Sequence, residues 1–221
     1  MKEDHKLYYK AKFIIIGESG VGKTNLVHRF AKGEFNSQYA ITLGMDYLTK
    51  NIKVNDKIFK LELWDTAGSE KFRSVSKGYY KNSACAIIVY DITDEKSFKS
   101  VKSWIEDCKS NSHKKIQIIL VGNKRDLENQ RIIEENMGKE LAKENGIKFY
   151  ETSALTGENV ENLFVDECKI LSKNINEGII DFDDDTFGLK KCLTTTDIVI
   201  NNSDKKLKLE NEITKKKKKC C

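Results

Sequence analysis

Two kinds of hydrophobic pattern alternate along the first 176 residues. The short apolar runs at 13–16, 84–90 and 116–121 are typical of strands buried on both faces of a parallel sheet. Between such runs, the segments 98–108 and 160–171 repeat apolar residues at helical spacing, as amphipathic helices do. This alternation predicts an α/β domain with a doubly wound sheet.

A hairpin adds one antiparallel strand to the predicted sheet. The segments 48–54 and 57–64 flank Asn55 and Asp56, a typical hairpin turn, and 149–152 resembles one more short strand. We therefore expect a mostly parallel six-stranded sheet with one antiparallel edge strand and helices on both faces.

The pattern also predicts where the domain begins and ends. We expect a domain over 11–176, preceded by an N-terminal extension, 1–10. After residue 176 the periodicity stops and polar, acidic and lysine-rich stretches follow, so 177–221 is predicted to be a flexible tail.

Charge and cysteine usage narrow the class of protein. The net charge is +5, but 205–219 alone carries eight lysines and two glutamates. The body is therefore nearly neutral, which argues against a nucleic-acid-binding protein and favours a tail that approaches an anionic surface. The six cysteines and three histidines have neither zinc-site nor disulfide spacing. With no signal-peptide or membrane-spanning pattern, we expect a cytosolic protein.

The segment 17–24 matches the phosphate-binding pattern G-x-x-x-x-G-K-[ST]. It follows a predicted strand and opens a helix, so its backbone N–H groups and the helix dipole would surround phosphates. Lys23 would neutralise the β- and γ-phosphates and Thr24 would ligate Mg²⁺. The motif alone does not distinguish ATP from GTP, or a kinase from a switch. The residues predicted to contact phosphate or ribose are Ser19, Gly20, Val21, Gly22, Lys23, Thr24 and Asn25.

A second motif, Asp65 to Gly68, lies at the end of a predicted strand. A carboxylate at this position can hold Mg²⁺, as a Walker-B aspartate does. Gly68 can offer its backbone N–H to a γ-phosphate where a Cβ atom would obstruct it.

A third motif, Asn123-Lys124-Arg125-Asp126, follows another predicted strand. Guanine presents N1–H and N2–H₂ donors that an ionised carboxylate accepts together, whereas adenine presents an acceptor at N1. Asp126 therefore favours guanine, with Lys124 over the base plane and Asn123 tying the loops together. Taken alone, this motif is equally consistent with a solvated loop. The stretch Ser153-Ala154-Leu155 would supply the Ala154 N–H to guanine O6.

With these motifs in this order, residues 11–176 resemble the Ras superfamily of small GTPases and, within it, the Rab family. The stretches 41–47 and 90–93 also look Rab-like. The resemblance implies a P-loop small G domain that binds GTP or GDP with Mg²⁺. It implies that Phe35 packs against the guanine, that Tyr39 lies across the phosphates, and that Thr42 closes over Mg²⁺ and the γ-phosphate. The implied magnesium ligands are Thr24, Thr42 and Asp65, and the implied effector-binding aromatic residues are Tyr47, Trp64 and Tyr79.

Partners and location are further implications of the resemblance. It implies a monomer that meets an exchange factor, a GTPase-activating protein, a GDP dissociation inhibitor, a prenylation escort protein and effectors of vesicle transport. Cys220 and Cys221 resemble a double geranylgeranylation signal, and five lysines precede them at 215–219. The expected location is the cytoplasmic face of an endomembrane, with a cytosolic pool.

One position departs from the family pattern. Ser69 stands where a glutamine usually orients the attacking water. With Lys23, Thr42, Gly68 and Ser69 as the catalytic set, we expect slow intrinsic hydrolysis of GTP. An activating protein that supplies arginine and glutamine would compensate. The alternatives are a GTP-binding module with little turnover and, disfavoured by Asp126, a P-loop kinase or ATPase.

Overall fold

Seven strands lie in one sheet in the part of the chain that the computed structural model describes, residues 6–38, 42, 45–68 and 78–194. The strands are β1 (Lys6–Ile16), β2 (Met45–Val54), β3 (Lys57–Thr66), β4 (Cys85–Asp91), β5 (Gln117–Asn123), β6 (Lys148–Glu151) and β7 (Leu189–Thr194). The helices are α1 (Lys23–Lys32), α2 (Glu95–Lys99), α3 (Val101–Asn111), α4 (Glu135–Asn145) and α5 (Val160–Asn176), with a 3₁₀ helix over Arg125–Gln130.

The sheet is mostly parallel. Its order is β2-β3-β1-β4-β5-β6, and β1, β3, β4, β5 and β6 all run in the same direction. The hairpin of β2 and β3 is antiparallel and turns at Asn55, whose φ is 53°. The predicted α/β sheet with an antiparallel edge strand is thus confirmed. Because the parallel strands share one direction, their carboxyl ends meet at one edge, where ligands bind in such folds.

Helices cover both faces of the sheet because successive side chains of a strand point to opposite faces. Phe13 faces a core that includes Phe30 of α1 and Phe164 of α5, whose rings stack with centroids 3.8 Å apart. Ile14 faces the other core, together with Trp104 of α3. None of the helices in the described ranges is long and apolar enough to cross a bilayer.

The prediction of a flexible tail from residue 177 is wrong for 177–194. Strand β7 pairs antiparallel with β1, from Leu189 opposite Ala11 to Thr194 opposite Lys6. The same pairing shows that β1 begins at Lys6, so the predicted extension 1–10 also overlaps the sheet. The hydrophobic pattern did not predict β7 because the lysines of β7 interrupt any apolar alternation. The strand with which it pairs, β1, is also distant in the chain.

Apolar side chains anchor this C-terminal segment, residues 177–194. Ile180, Phe187 and Leu189 are buried, and the Phe187 ring lies edge-on to His113 with centroids 5.4 Å apart. Gly188 approaches residues 82–83 so closely that a Cβ atom would lie 2.2 Å from the Asn82 carbonyl oxygen. The folded domain therefore includes residues 177–194.

We predict unequal effects from truncating two side chains of this segment. Phe187→Ala removes a buried ring and should lower the free energy of unfolding by about 3–5 kcal/mol. Leu193→Ala, at a side chain that is 66% exposed, should change it by less than about 0.5 kcal/mol. Denaturant unfolding with saturating GDP and Mg²⁺ measures both. Equal midpoints for the two variants would mean that the segment does not pack as described.

Candidate nucleotide-binding site

A cavity of about 560 Å³ opens at the carboxyl edge of the sheet, within the size range of ligand pockets. It brings together residues from all three predicted motifs. It also includes Ser37 and Leu127, which no motif indicated. The lining residues are Ser19, Gly20, Gly22, Lys23, Thr24, Asn25, Phe35, Ser37, Thr42, Gly68, Asn123, Lys124, Asp126, Leu127, Ala154 and Leu155.

Close packing requires glycine at both ends of the loop between β1 and α1. Gly17 has φ +135°, and a Cβ atom there would lie 2.1 Å from the Val89 carbonyl oxygen. Gly22 has φ +91°, and its Cβ would lie 2.5 Å from Nδ2 of Asn123. Helix α1 begins directly afterwards. Its N-cap residue is Gly22, which has no side chain that could accept hydrogen bonds from the first N–H groups of the helix. Its first N–H groups are therefore suited to an anion.

The Lys23 ammonium group spans this loop. It donates hydrogen bonds to the carbonyl oxygens of Gly17, at 2.9 Å, and Glu18, at 2.7 Å. Burial lowers the pKa of Lys23 to about 8, against the opposing effects of Asp65 and Glu18. Bound phosphates would favour the charged form, so nucleotide and proton bind cooperatively at this residue.

The three predicted magnesium ligands lie together. The Thr24 hydroxyl donates to Oδ2 of Asp65 at 2.5 Å and lies 2.8 Å from the Thr42 hydroxyl. Oδ1 of Asp65 is buried and has no hydrogen-bond partner among the described residues. Desolvation raises the pKa of Asp65, while Thr24 and Lys23 lower it. Two hydroxyls and an unpaired buried carboxylate oxygen fit Mg²⁺, which binds oxygen ligands and keeps sites for phosphate and water.

Gly68 contacts the phosphate loop. A Cβ atom at this position would lie 2.4 Å from both the Ser19 nitrogen and the Glu18 carbonyl carbon. Only glycine therefore allows the backbone after β3 to approach the loop this closely, a constraint different from the phosphate contact that the sequence predicts for Gly68. The fourth predicted catalytic residue, Ser69, and the predicted phosphate-covering Tyr39 lie outside the described residues.

The side-chain amide of Asn123 connects three loops. Its Nδ2 donates to the Val21 carbonyl oxygen at 2.8 Å. Its Oδ1 accepts hydrogen bonds from the Thr152 hydroxyl at 3.2 Å and from the Ala154 N–H at 3.3 Å. Val21, which the sequence predicted to contact nucleotide, therefore does not line the cavity and contacts Asn123 through its carbonyl oxygen.

The neighbouring polar residues are held in place individually. Lys124 has φ 68°, and its ammonium lies 2.6 Å from Oδ2 of Asp91. The Ser153 hydroxyl donates to Oδ1 of Asp126 at 2.5 Å, so Ser153 supports Asp126 from outside the cavity lining. Asp126 itself lines the cavity with Ala154, as recognition of guanine requires.

Sequence reasoning missed a buried ion pair behind the base-binding loops. Arg131 follows the 3₁₀ helix and donates two hydrogen bonds, at 2.7 and 2.8 Å, to the carboxylate of Glu151 at the end of β6. These bonds and others to Glu128 raise the pKa of Arg131. The pair joins the segments that carry Asp126 and Ala154, and only the charge of Glu151 in a strand could have signalled it.

Asn25 fixes the segment that carries Phe35. Its side-chain amide donates to the Asn36 carbonyl oxygen and accepts from the Asn36 N–H, both at 3.0 Å. The paired bonds hold residues 33–38 beside α1, so that Phe35 and Ser37 reach the cavity.

The three predicted effector-binding aromatic residues are in contact. Tyr47 lies edge-on to Trp64 with centroids 5.7 Å apart, and Trp64 lies 6.2 Å from Tyr79. Lys12, which the sequence did not single out, places its ammonium 4.3 Å from the Trp64 ring centroid and donates to the Tyr79 carbonyl oxygen. Tyr47 is exposed, so the cluster reaches the surface.

The fold and the cavity define a P-loop guanine-nucleotide-binding domain. Residues 12–173 match the model of the Ras family, and the chain belongs to that family. Its members are small GTPases that bind GTP or GDP, generally with Mg²⁺, and hydrolyse GTP.

The lowered pKa of Lys23 predicts a pH-dependent affinity. Phosphate binds the protonated form, so affinity is greatest well below the pKa of about 8 and falls progressively as the pH rises through and above 8. GDP affinity should fall about tenfold between pH 7 and 9 in the wild type.

Lys23→Arg is the matched control, because a guanidinium stays charged across this range. Its affinity should have a flatter pH profile, whatever its absolute value. Ionisation of the nucleotide affects both proteins equally and cancels in their ratio. Parallel profiles would contradict a titrating Lys23.

Proposed function

We propose that this Ras-family protein is a Rab-like switch that recruits effectors in intracellular vesicle trafficking. The observation that carries the proposal is the contact of Tyr47, Trp64 and Tyr79 at the surface beside the nucleotide site. The proposal also draws on the Rab-like sequence stretches and on the paired cysteines Cys220 and Cys221.

Strand pairing offers a short route from nucleotide to effector surface. Tyr47 pairs directly with Trp64, and Asp46 pairs with Asp65 in the antiparallel hairpin. Asp65, the proposed magnesium ligand, directly follows Trp64 in the chain. Thr42, which contacts Thr24, lies three residues before β2. GTP would order the segments around Thr42 and Gly68, and loss of the γ-phosphate would release them.

Hydrolysis is in-line attack of water on the γ-phosphate. Lys23 and the N–H groups of the phosphate loop would stabilise the negative charge that develops on the phosphate oxygens. Thr42 and Gly68, which line the same cavity, would also contact the γ-phosphate. Mg²⁺, held by Thr24, Thr42 and Asp65, would neutralise charge on the β- and γ-phosphates when bound.

The proposed membrane anchor lies beyond β7. That strand ends at Thr194, opposite the first residue of β1 and away from the nucleotide edge. The 27 residues at 195–221 can extend to at most about 97 Å. Two lipid chains anchor a protein stably where one does not, and each lysine at 215–219 would add about 1 kcal/mol at an anionic surface. A GDP dissociation inhibitor and an escort protein would handle the lipidated form.

Replacing the two cysteines tests the trafficking proposal. The tagged full-length protein should concentrate on one endomembrane, whereas the double variant Cys220→Ser, Cys221→Ser should become diffuse because it has no lipid. Cys192→Ser, at a cysteine in β7 of the folded domain, is the matched control and should remain on the membrane. A wild-type protein that is diffuse, or that is unaffected by the double substitution, would refute the anchor.

Ser69 carries a second prediction, on rate. Its side chain is too short to orient water as glutamine does, so Ser69→Gln should raise single-turnover GTP hydrolysis by about tenfold or more. Ser69→Ala, which adds no amide, should leave the rate unchanged. Equal rates for the wild type and Ser69→Gln would show that Ser69 does not slow hydrolysis.

Measuring GTP hydrolysis with an activating protein distinguishes the proposed switch from a second candidate function, a GTP-binding module with little turnover. An activating protein that supplies arginine and glutamine should accelerate the wild type and Ser69→Gln to similar rates. The alternative, a membrane-tethered GTP-binding module with little turnover, is favoured by Ser69 alone. It predicts no phosphate release above background even with the activating protein.

A further inference from the structure

The Arg29 guanidinium on α1 bonds to three backbone carbonyl oxygens in two different loops. Its Nε donates to Ala154 at 2.8 Å and its Nη2 donates to Leu155 at 2.7 Å. Its Nη1 donates to Gly33 at 2.7 Å. Three of the five N–H donors of the guanidinium group therefore bind backbone carbonyl oxygens, which carry no net charge.

Both loops border the purine end of the cavity. Ala154 and Leu155 line it directly, and Gly33 begins the segment that carries Phe35, two residues further along the chain. Arg29 therefore connects the helix that follows the phosphate loop to both walls of the expected base site.

Ala154 is held from two sides. Arg29 binds its carbonyl oxygen, and Oδ1 of Asn123 accepts its N–H at 3.3 Å. That second bond is long for an N–H donor, so the N–H retains capacity for a further acceptor. The carbonyl oxygen at position 6 of guanine is an acceptor of this kind, whereas the amino group of adenine is not.

We propose that Arg29 is a positioning residue that fixes the Ala154 N–H for guanine O6, and that it thereby sets base preference and slows nucleotide release. The proposal rests on guanine-nucleotide binding at this cavity, but it does not require the Rab-like function. Lysine can replace arginine here only in part, because an ammonium group is a compact point charge without a planar fork.

The experiment compares release rates of three nucleotides from the full-length protein with Mg²⁺. GDP and inosine diphosphate both carry O6, whereas the diphosphate of 2-aminopurine riboside lacks it and presents an acceptor at N1. Because each variant is compared with the wild type on the same nucleotide, the difference at N1 cancels. Arg29→Met should release GDP and inosine diphosphate about tenfold faster, and the analogue without O6 less than about threefold faster. Arg29→Lys should show the same order with smaller changes.

The matched control is Lys32→Met, which removes a positive charge from an exposed position on the same helix. It should leave all three release rates within about twofold of the wild type. Thermal unfolding with saturating GDP identifies any variant that fails to fold. If Arg29→Met does so, Arg29→Lys provides the same comparison of nucleotides.

Two outcomes would overturn the proposal in different ways. Equal acceleration of all three nucleotides, or no acceleration, would show that Arg29 does not act through O6. A wild type that retains the 2-aminopurine nucleotide as long as GDP would show that Ala154 does not recognise O6 at all. In that case the assignment of Ala154 fails together with the proposal, while binding of GDP itself still tests the wider function.

Discussion

The hydrogen bonds of the Asn123 side chain are the constraint on which the nucleotide site most depends. Parallel strands bring several loops to one edge of the sheet, but the strands alone do not fix the loops relative to each other. The amide of Asn123 bonds to the phosphate loop at Val21 and to the base-binding loop at Thr152 and Ala154. A buried amide with unsatisfied partners is costly, so any change in one loop is resisted by the others.

The phosphate-binding part of the site contains two buried charged groups that the rest of the fold does not fully compensate. Burial disfavours both the ammonium of Lys23 and the carboxylate of Asp65, and one oxygen of Asp65 lacks a partner among the described residues. A triphosphate and a divalent cation satisfy both groups. Because Asp65 follows Trp64 at the end of the hairpin, the same ligands can order the aromatic surface that we propose for effectors.

The sequence motifs predicted most of the residues that the structure brings together around the cavity, because binding phosphate, metal and base demands particular side chains at particular spacings. Lys23 and Asp126 line the cavity, and Asp65 accepts a hydrogen bond from Thr24, which also lines it. Ser37 and Leu127 reach the cavity only through the path of the backbone, which no motif specifies. Gly68 was inferred from the space that phosphate needs, whereas the structure shows a different reason for glycine there, its close approach to the backbone of Glu18 and Ser19.

Supporting contacts between distant segments were not predictable. Strand β7 pairs with β1 across almost the whole chain, and its composition does not suggest a strand. Arg29 bonds to carbonyl oxygens 125 and 126 residues away, which leaves no periodic trace in the sequence.

Competition for binding to the purified full-length protein is the sharpest test of whether this cavity binds guanine nucleotides with magnesium. GTP, ATP or neither would compete with a fluorescent GDP analogue, first with Mg²⁺ and then after chelation. ATP should compete at least ~1,000-fold more weakly than GTP, and chelation should accelerate release. Equal competition by ATP and GTP, or release that is indifferent to Mg²⁺, would contradict this expectation.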